Sequence, residues 1–420
     1  MPAVAADLII SDLDAVVTPV GPAPLAAGHQ GRVDTLRRAA IAARDGRVAF
    51  VGTAAACRRH VRLLPDGRVL DGRGCTAIPG FVDPHTHAVF AGDRRDELHR
   101  RLAGASYAEI AAAGGGILGT VRATREAGER QLVDAALPRL AEMLRCGTTT
   151  CEVKSGYGLE LEAELRMLRA IRHLQTRQPV EIVPTFMGAH EVPAEWRHDP
   201  EHYVSRVIDQ MIPRVAAEGL ATWCDVFCET GVFTPAQSER ILRAGAAHGL
   251  RPRVHADELG PSGGSVVAAR VGARSADHLV HVDPEGIAAL AAGRVCATLL
   301  PIAAFYLKLG RFAPARALIA AGVPVALATD VNPGGGFSPS MPFAITLACF
   351  GMGLTLEEAL VAATINAAWS IDRDGIAGSL EPGKQCDVVL VRGALVDLLR
   401  VGAEAVAAVV KRGEVVVDRP

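Results

Sequence analysis

Lysine is nearly absent: Lys154, Lys308, Lys384 and Lys411 are the lysines among the 44 basic residues of this 420-residue chain. The arginine bias is assigned to genome base composition, and no partner is read from it. Charge of one sign is lacking too. The 44 basic residues face 46 acidic ones, giving a formal net charge of −2, so no global field concentrates DNA, RNA or an anionic membrane on the molecule. Nucleic acid and membrane are therefore not expected as partners. Long hydrophobic runs are missing: the apolar stretches 295–307 and 317–328 stop short of the ~20 residues that cross a bilayer, and Pro301 and Pro324 interrupt them. The opening MPAVAADLIISDLD has no basic n-region and carries Asp7, Asp12 and Asp14 where a leader stays apolar, so a cytoplasmic location is expected. Cysteine pairing is not signalled either. The nine cysteines are odd in number and lack CxxC spacing, which points to a reducing compartment and to buried strand cysteines at Cys146, Cys151, Cys224 and Cys228. Gly114-Gly115-Gly116 is not a nucleotide-binding GxGxxG. Gly and Pro number 43 and 25, too few for a low-complexity chain, and no internal repeat is visible.

What is present is a chain that is 50% hydrophobic and 21% charged, long enough for an α/β barrel of ~250 residues with a small companion. The first ~75 residues read as short strands and turns, at 7–10, 40–43 and 48–51 around Arg44-Asp45-Gly46-Arg47. From Cys75 onward, short apolar runs alternate with amphipathic segments such as 159–174, which places Leu161, Leu165, Leu168 and Ile171 on one face. The apolar runs are 77–82, 148–153, 181–187, 221–228, 251–254, 274–276, 295–300 and 324–328, eight in all. This alternation predicts a (β/α)8 TIM-like barrel over residues 76–379. Runs 386–391 and 406–417, the latter with a turn at Arg412-Gly413, return to β texture. With the N-terminal strands they predict a composite β-sandwich built from 1–75 and 380–420.

Chemistry gathers where these strands end, the place where barrel enzymes keep their sites. In Asp83-Pro84-His85-Thr86-His87 the two histidines are spaced i, i+2, so in an extended segment both imidazoles reach one cation. His255, His278 and Asp330 end later strands and would converge on the same mouth. Three histidines and one aspartate suit zinc or iron better than calcium or magnesium. Such a metal lowers the pKa of water to ~7, and Asp330, Glu258 and His278 are the candidates for shuttling the proton.

His-X-His after strand one, His after strands five and six and Asp after strand eight resemble the amidohydrolase superfamily. The closer resemblance is to the imidazolonepropionase family. It is carried by the segment from Pro84 to Arg94, by Leu102-Ala103-Gly104-Ala105-Ser106-Tyr107, by Ala113-Gly114-Gly115-Gly116-Ile117, and by Glu152-Val153-Lys154-Ser155-Gly156-Tyr157-Gly158. Met187-Gly188-Ala189-His190, Asp225-Val226-Phe227-Cys228-Glu229, His255-Ala256-Asp257-Glu258-Leu259 and Asp330-Val331-Asn332-Pro333-Gly334 complete it. The resemblance implies hydrolysis of the ring amide of 4-imidazolone-5-propanoate to N-formimidoyl-L-glutamate, in a homodimer with one zinc or iron per chain. It implies His85, His87, His255 and Asp330 as metal ligands and Glu258, His278 and Asp330 as the proton-transfer groups. Arg94, Tyr157, His190, Glu258, Asn332, Gly334 and Gly335 are implied at the substrate, with Arg94 on the propionate. Two-metal members carry a bridging lysine after strand four, whereas this chain has Phe227-Cys228-Glu229 there and Lys154 at strand two, which argues for one metal. Gly335 stands where the family usually has Thr or Ser. The amides of Gly334 and Gly335, or Ser338 or Ser340, are expected to serve the anion instead. Another cyclic amidohydrolase or a deaminase would share the metal ligands, and Arg94, Tyr157 and His190 discriminate against it.

Overall fold

The computed structural model describes residues 4–105, 109–110, 113–402 and 404–419. Ser106 and Tyr107 of the second matching motif lie outside the described residues. The first five strands are β1 (Val4–Pro19), β2 (Val33–Arg44), β3 (Arg47–Thr53), β4 (Val61–Asp71) and β5 (Cys75–Pro79). β2 and β3 join through Asp45 and Gly46, both with left-handed backbone at φ 50° and 75°, as a two-residue hairpin turn demands. The long β1 pairs antiparallel with β2, and parallel with β4 along its first half and β5 near its end. An irregularity between Ile10 and Leu13 separates the two parallel pairings.

The barrel strands follow: β6 (Phe81–Asp83), β7 (Thr148–Lys154), β8 (Glu181–Ala189), β9 (Trp223–Cys228), β10 (Arg251–Ala256), β11 (Ser275–His278), β12 (Cys296–Leu299) and β13 (Val325–Leu327). They pair in sequence order as one parallel sheet. β14 (Val388–Arg392), β15 (Val406–Lys411) and β16 (Glu414–Asp418) then return to the first sheet, in the order β16-β15-β14-β5-β1-β2-β3. That sheet has its own core, in which Leu8, Ile10 and Ile41 from the N-terminal strands meet Val388, Leu390 and Val410 from the C-terminal ones. The apolar run read as a single first strand, 77–82, is divided at Gly80. β5 pairs antiparallel with β14, whereas β6 opens the barrel beside β7. A Cβ on Gly80 would meet Thr149 Oγ1 at 2.3 Å, so only glycine fits at this crossing.

Between β13 and β6 the barrel is closed by the segments that follow those strands. Asp330 N–H donates to His85 O at 3.1 Å and His87 N–H to Val331 O at 2.8 Å, while Asp83 accepts the Thr329 N–H at 3.1 Å. The same closure therefore fixes both histidines of the His-X-His segment against Asp330. The helix Ile365–Ser370 plugs the opposite end, packing Ala367 and Ala368 against Val82, Val183, Trp223, Cys296 and Ala326. Asn366 locks the plug by donating to Val325 O at 2.9 Å and Leu25 O at 2.8 Å. Valines such as Val82 and Val183 contribute ~1.5–3 kcal/mol each when fully buried, so this end is closed by packing and the other is left for chemistry. Among the described residues no helix is long and apolar enough to cross a membrane.

Candidate metal centre and active site

His85, His87 and His255 present donor atoms that all lie within 4.8 Å of one another. His87 Nε2 is 3.3 Å from His255 Nε2, and Asp330 Oδ1 is 3.6 Å from His85 Nε2 and 3.7 Å from His87 Nε2. Donors ~2.1 Å from one tetrahedral ion stand ~3.4 Å apart, so these four side chains fit a single divalent cation. His85 Nε2 and Asp330 Oδ1 are buried without a hydrogen-bond partner, a rare and costly state that a cation would relieve. Burial, with neighbouring positive groups, pushes His85 and His87 well below the ordinary histidine range. They are held as the neutral imidazoles that ligate metal. Burial pushes Asp330 up to about 8, a penalty a cation at this place removes. The backbone is left-handed at Asp330 (φ 56°) and His278 (φ 77°), strain of ~1–3 kcal/mol each, held at Asp330 by the barrel closure and at His278 by pairing of β11 with β10 at Ala256.

A cavity opens above these donors, lined on its polar side by His87, Arg94, His190, His255, Glu258 and Asp330. His278, Tyr157, Asn332 and Gly335 also face it, and Ile117, Phe227, Leu259 and Leu307 supply its apolar walls. His190 stacks on His87 with ring centroids 4.8 Å apart, and its Nδ1 lies 2.9 Å from Gly156 O. Burial pushes His190 down to about 3, so the ring is neutral, with Nδ1–H donating to Gly156 and Nε2 left as an acceptor. Burial, Asp330 and Glu229 push the Glu258 carboxyl well above its usual range, and Glu258 Oε1 lies 3.4 Å from His278 Nδ1. Beside it, burial pushes His278 well below the ordinary histidine range.

The Amidohydrolase family pattern matches residues 76–416. An imidazolonepropionase of Symbiobacterium thermophilum is 50% identical over 415 residues, covering 98% of this chain and 97% of that one. One from Geobacillus kaustophilus is 52% identical over 363 residues, 86% of this chain and 85% of that one. The chain belongs to the imidazolonepropionase branch of the amidohydrolase family. Solved structures share the fold: an adenosine deaminase from Xanthomonas campestris with bound zinc has a TM-score of 0.75 at 20% identity, over 100% of this chain and 94% of that one. Guanine deaminase of E. coli has a TM-score of 0.71 at 17% identity, over 98% of this chain and 100% of that one.

Beneath the donors, this amidohydrolase chain carries a buried ionic layer that sequence reasoning left unassigned. Asp277 Oδ2 lies 2.7 Å from His85 Nδ1 and accepts from Arg253 at 3.0 Å, while its Oδ1 accepts the Ser275 hydroxyl at 2.6 Å. The Asp277 carboxylate thus orients His85, the usual support of a ligating imidazole. Asp225 lies 3.1 Å from His255 Nδ1 and 2.8 Å from Lys154 Nζ, and Lys154 also bonds Glu152 at 2.8 Å. Burial works to lower the Lys154 pKa, yet Asp225 and Glu152 together hold it above the ordinary lysine value. Its ammonium stays charged and is not the carboxylated lysine of a two-metal site. A second donor group, His85 with Asp225 and Asp277, is already neutralised by Lys154 and Arg253. The available signal was period-two polarity inside apolar strands: Glu152 with Lys154, Arg253 with His255, Ser275 with Asp277.

The loop after β13 departs from expectation. Gly334 N–H and Gly335 N–H both donate to Asn332 Oδ1, at 2.8 and 2.6 Å, so they form no free nest for an anion. Asn332 Nδ2 donates to Asp330 O at 2.8 Å, which makes Asn332 the organiser of the loop that carries a metal-ligand candidate. Ser340 caps the helix Met341–Met352 and Ser338 accepts the Ser340 N–H at 3.3 Å, and neither serine lines the cavity. Arg94 bonds Glu97 through Nε at 2.8 Å, and Glu97 also takes the Gly116 N–H at 2.8 Å. Gly334 backs the Arg94 guanidinium so closely that a Cβ there would sit 2.4 Å from Cζ.

Proposed function

We propose that this chain hydrolyses the ring amide of 4-imidazolone-5-propanoate to N-formimidoyl-L-glutamate. The observation that carries the reading is one cavity lined by His87, His255 and Asp330 together with Arg94, Tyr157 and His190, with His85 grouped against the same donors, in a chain that matches imidazolonepropionases nearly end to end. A divalent ion, zinc or iron, one per chain, held by those four donors would polarise the ring carbonyl and acidify water. The chain's own groups do the rest. Arg94 pairs with the propionate, a contact suited to its fork of donors. Tyr157 flanks the imidazolone ring, and His190 Nε2 accepts a ring N–H. Neutral His278 or Asp330 takes a proton from the attacking water, and Glu258 delivers one to the ring nitrogen as its bond to the carbonyl carbon breaks. Water thus supplies the new carboxylate oxygen, and the nitrogen leaves as the formimidoyl group. Asn332, Gly334 and Gly335 shape the wall beside Arg94 rather than binding an anion through their amides.

The catalytic unit is proposed as 76–379, with 1–75 and 380–420 as its companion, in a cytoplasmic homodimer. Purified protein given freshly made 4-imidazolone-5-propanoate should remove the ring absorbance and yield N-formimidoyl-L-glutamate by mass. Release of ammonia from aminated heterocycles, with no change in the imidazolone, would instead favour the deaminase reading.

A further inference from the structure

The loop that carries Tyr157 is gathered onto one buried carboxylate. Glu164 lies in the helix Leu161–Leu174 and is fully buried. Its Oε1 accepts the N–H groups of Gly158 at 2.8 Å and Leu159 at 2.9 Å, and Gly156 N–H lies 3.2 and 3.1 Å from its two oxygens. All three donors precede the helix, so this carboxylate holds the loop rather than capping its own helix. From the other side Arg125 donates to Gly158 O at 2.7 Å and Leu159 O at 3.2 Å.

The loop needs such a clamp. Leu159 has φ 52° and Gly156 φ 106°, and a left-handed leucine is unfavourable without outside support. A Cβ on Gly158 would lie 2.5 Å from Glu164 N, so the loop rests directly on the helix start. Two features of the loop reach the cavity. The Tyr157 ring stands 5.2 Å from that of His190, and Gly156 O takes the His190 Nδ1 proton.

We propose that Glu164 is a positioning residue for substrate binding: its carboxylate sets the 155–159 loop so that Tyr157 faces the cavity and His190 keeps Nε2 free to accept. The inference rests on the imidazolone reading for the identity of the substrate. Glu164→Ala and Glu164→Gln are compared with wild type for metal content, amide exchange over 155–160, KM and kcat, alone and in a His190→Ala background. The expected result is wild-type metal content, faster loop exchange and a KM raised roughly ten- to a hundredfold in the alanine variant, the scale of a displaced contact. The glutamine variant, which keeps Oε1, recovers most of this. In the His190→Ala background the effect shrinks, because both changes remove the same contact.

Faster loop exchange with KM and kcat unchanged overturns the proposal, as does an undiminished effect in the His190→Ala background. Should the alanine variant not fold, Glu164→Asp, which draws the carboxylate back from the loop by one methylene, decides: raised KM with wild-type metal content supports the role and wild-type KM overturns it. Absence of turnover in wild type would sink the functional reading itself, whereas wild-type turnover with indifferent variants sinks only the role of Glu164.

Discussion

Asp277→Asn probes the support of the metal centre without touching a ligand. The wild-type carboxylate takes a 2.7 Å contact from His85 Nδ1 and a 3.0 Å contact from Arg253, all three groups fully buried. An asparagine can still turn its carbonyl toward His85, but it surrenders the charge that makes the imidazole a stronger ligand. Loss of such a partner weakens metal binding about 10- to 100-fold, or roughly 1.4–2.7 kcal/mol. A second cost falls on Arg253, left without its carboxylate. Breaking a buried pair costs ~3–5 kcal/mol, and the lower end applies because Arg253 keeps Pro84 O at 2.9 Å and Ser370 O at 2.8 Å. Competition with a chelator reads the first term, and the melting temperature of metal-free protein reads the second. The variant should release metal at about ten- to a hundredfold lower chelator, with a smaller rise in Tm on metal addition. An unchanged chelator midpoint would refute the claim that Asp277 acts through His85.

Arg94→Ala should raise KM about ten- to a hundredfold with a smaller change in kcat, the scale of one charged hydrogen bond. Gly334→Ala should move KM the same way by pushing on Arg94 Cζ; steady-state kinetics checks both, and an unchanged KM in Arg94→Ala removes the propionate assignment. Glu258→Gln should retain metal and lose about 10²–10⁴ in kcat, and near-normal turnover would take the proton-donor role from Glu258. Glu181 joins the start of β8 to the segments of the terminal sheet through Arg412 at 2.9 Å and Gln385 at 3.0 Å, and to the turn after the plug helix through Arg373 at 2.7 Å. Burial works to raise the Glu181 pKa, but Gln385, Lys411, Arg412 and Arg373 hold it below the ordinary value. Its contribution is therefore present above the unfolded pKa of ~4.3 and lost as pH falls through the lower folded value. Glu181→Gln should lower Tm at pH 7 and leave a shallower acid limb; an unaltered limb would show that acid unfolding starts elsewhere.

Much of the barrel was legible because a β/α chain places short apolar runs and strand-end chemistry in a fixed order. His85, His87, His255, His278 and Asp330 follow from that order, although His255 and His278 lie within the last residues of β10 and β11 rather than beyond them. Two kinds of information escaped. Continuous burial hid the division at Gly80, since β5 and β6 are both fully buried and periodicity could not separate two sheets. Support from distant residues was also invisible: Asp277 to His85 spans 192 positions, and nothing local in Ser275-Ala276-Asp277 names its partner. The amides of Gly334 and Gly335 read as an anion nest until Asn332 was placed two and three residues before them, already accepting both.

The most direct test removes metal from purified protein and restores zinc or iron(II) stepwise while following 4-imidazolone-5-propanoate turnover on the same sample. The account predicts no turnover without metal, a linear rise to one equivalent per chain and a plateau beyond it. Turnover in metal-free protein, or a break at two equivalents, would contradict a single ion held by His85, His87, His255 and Asp330.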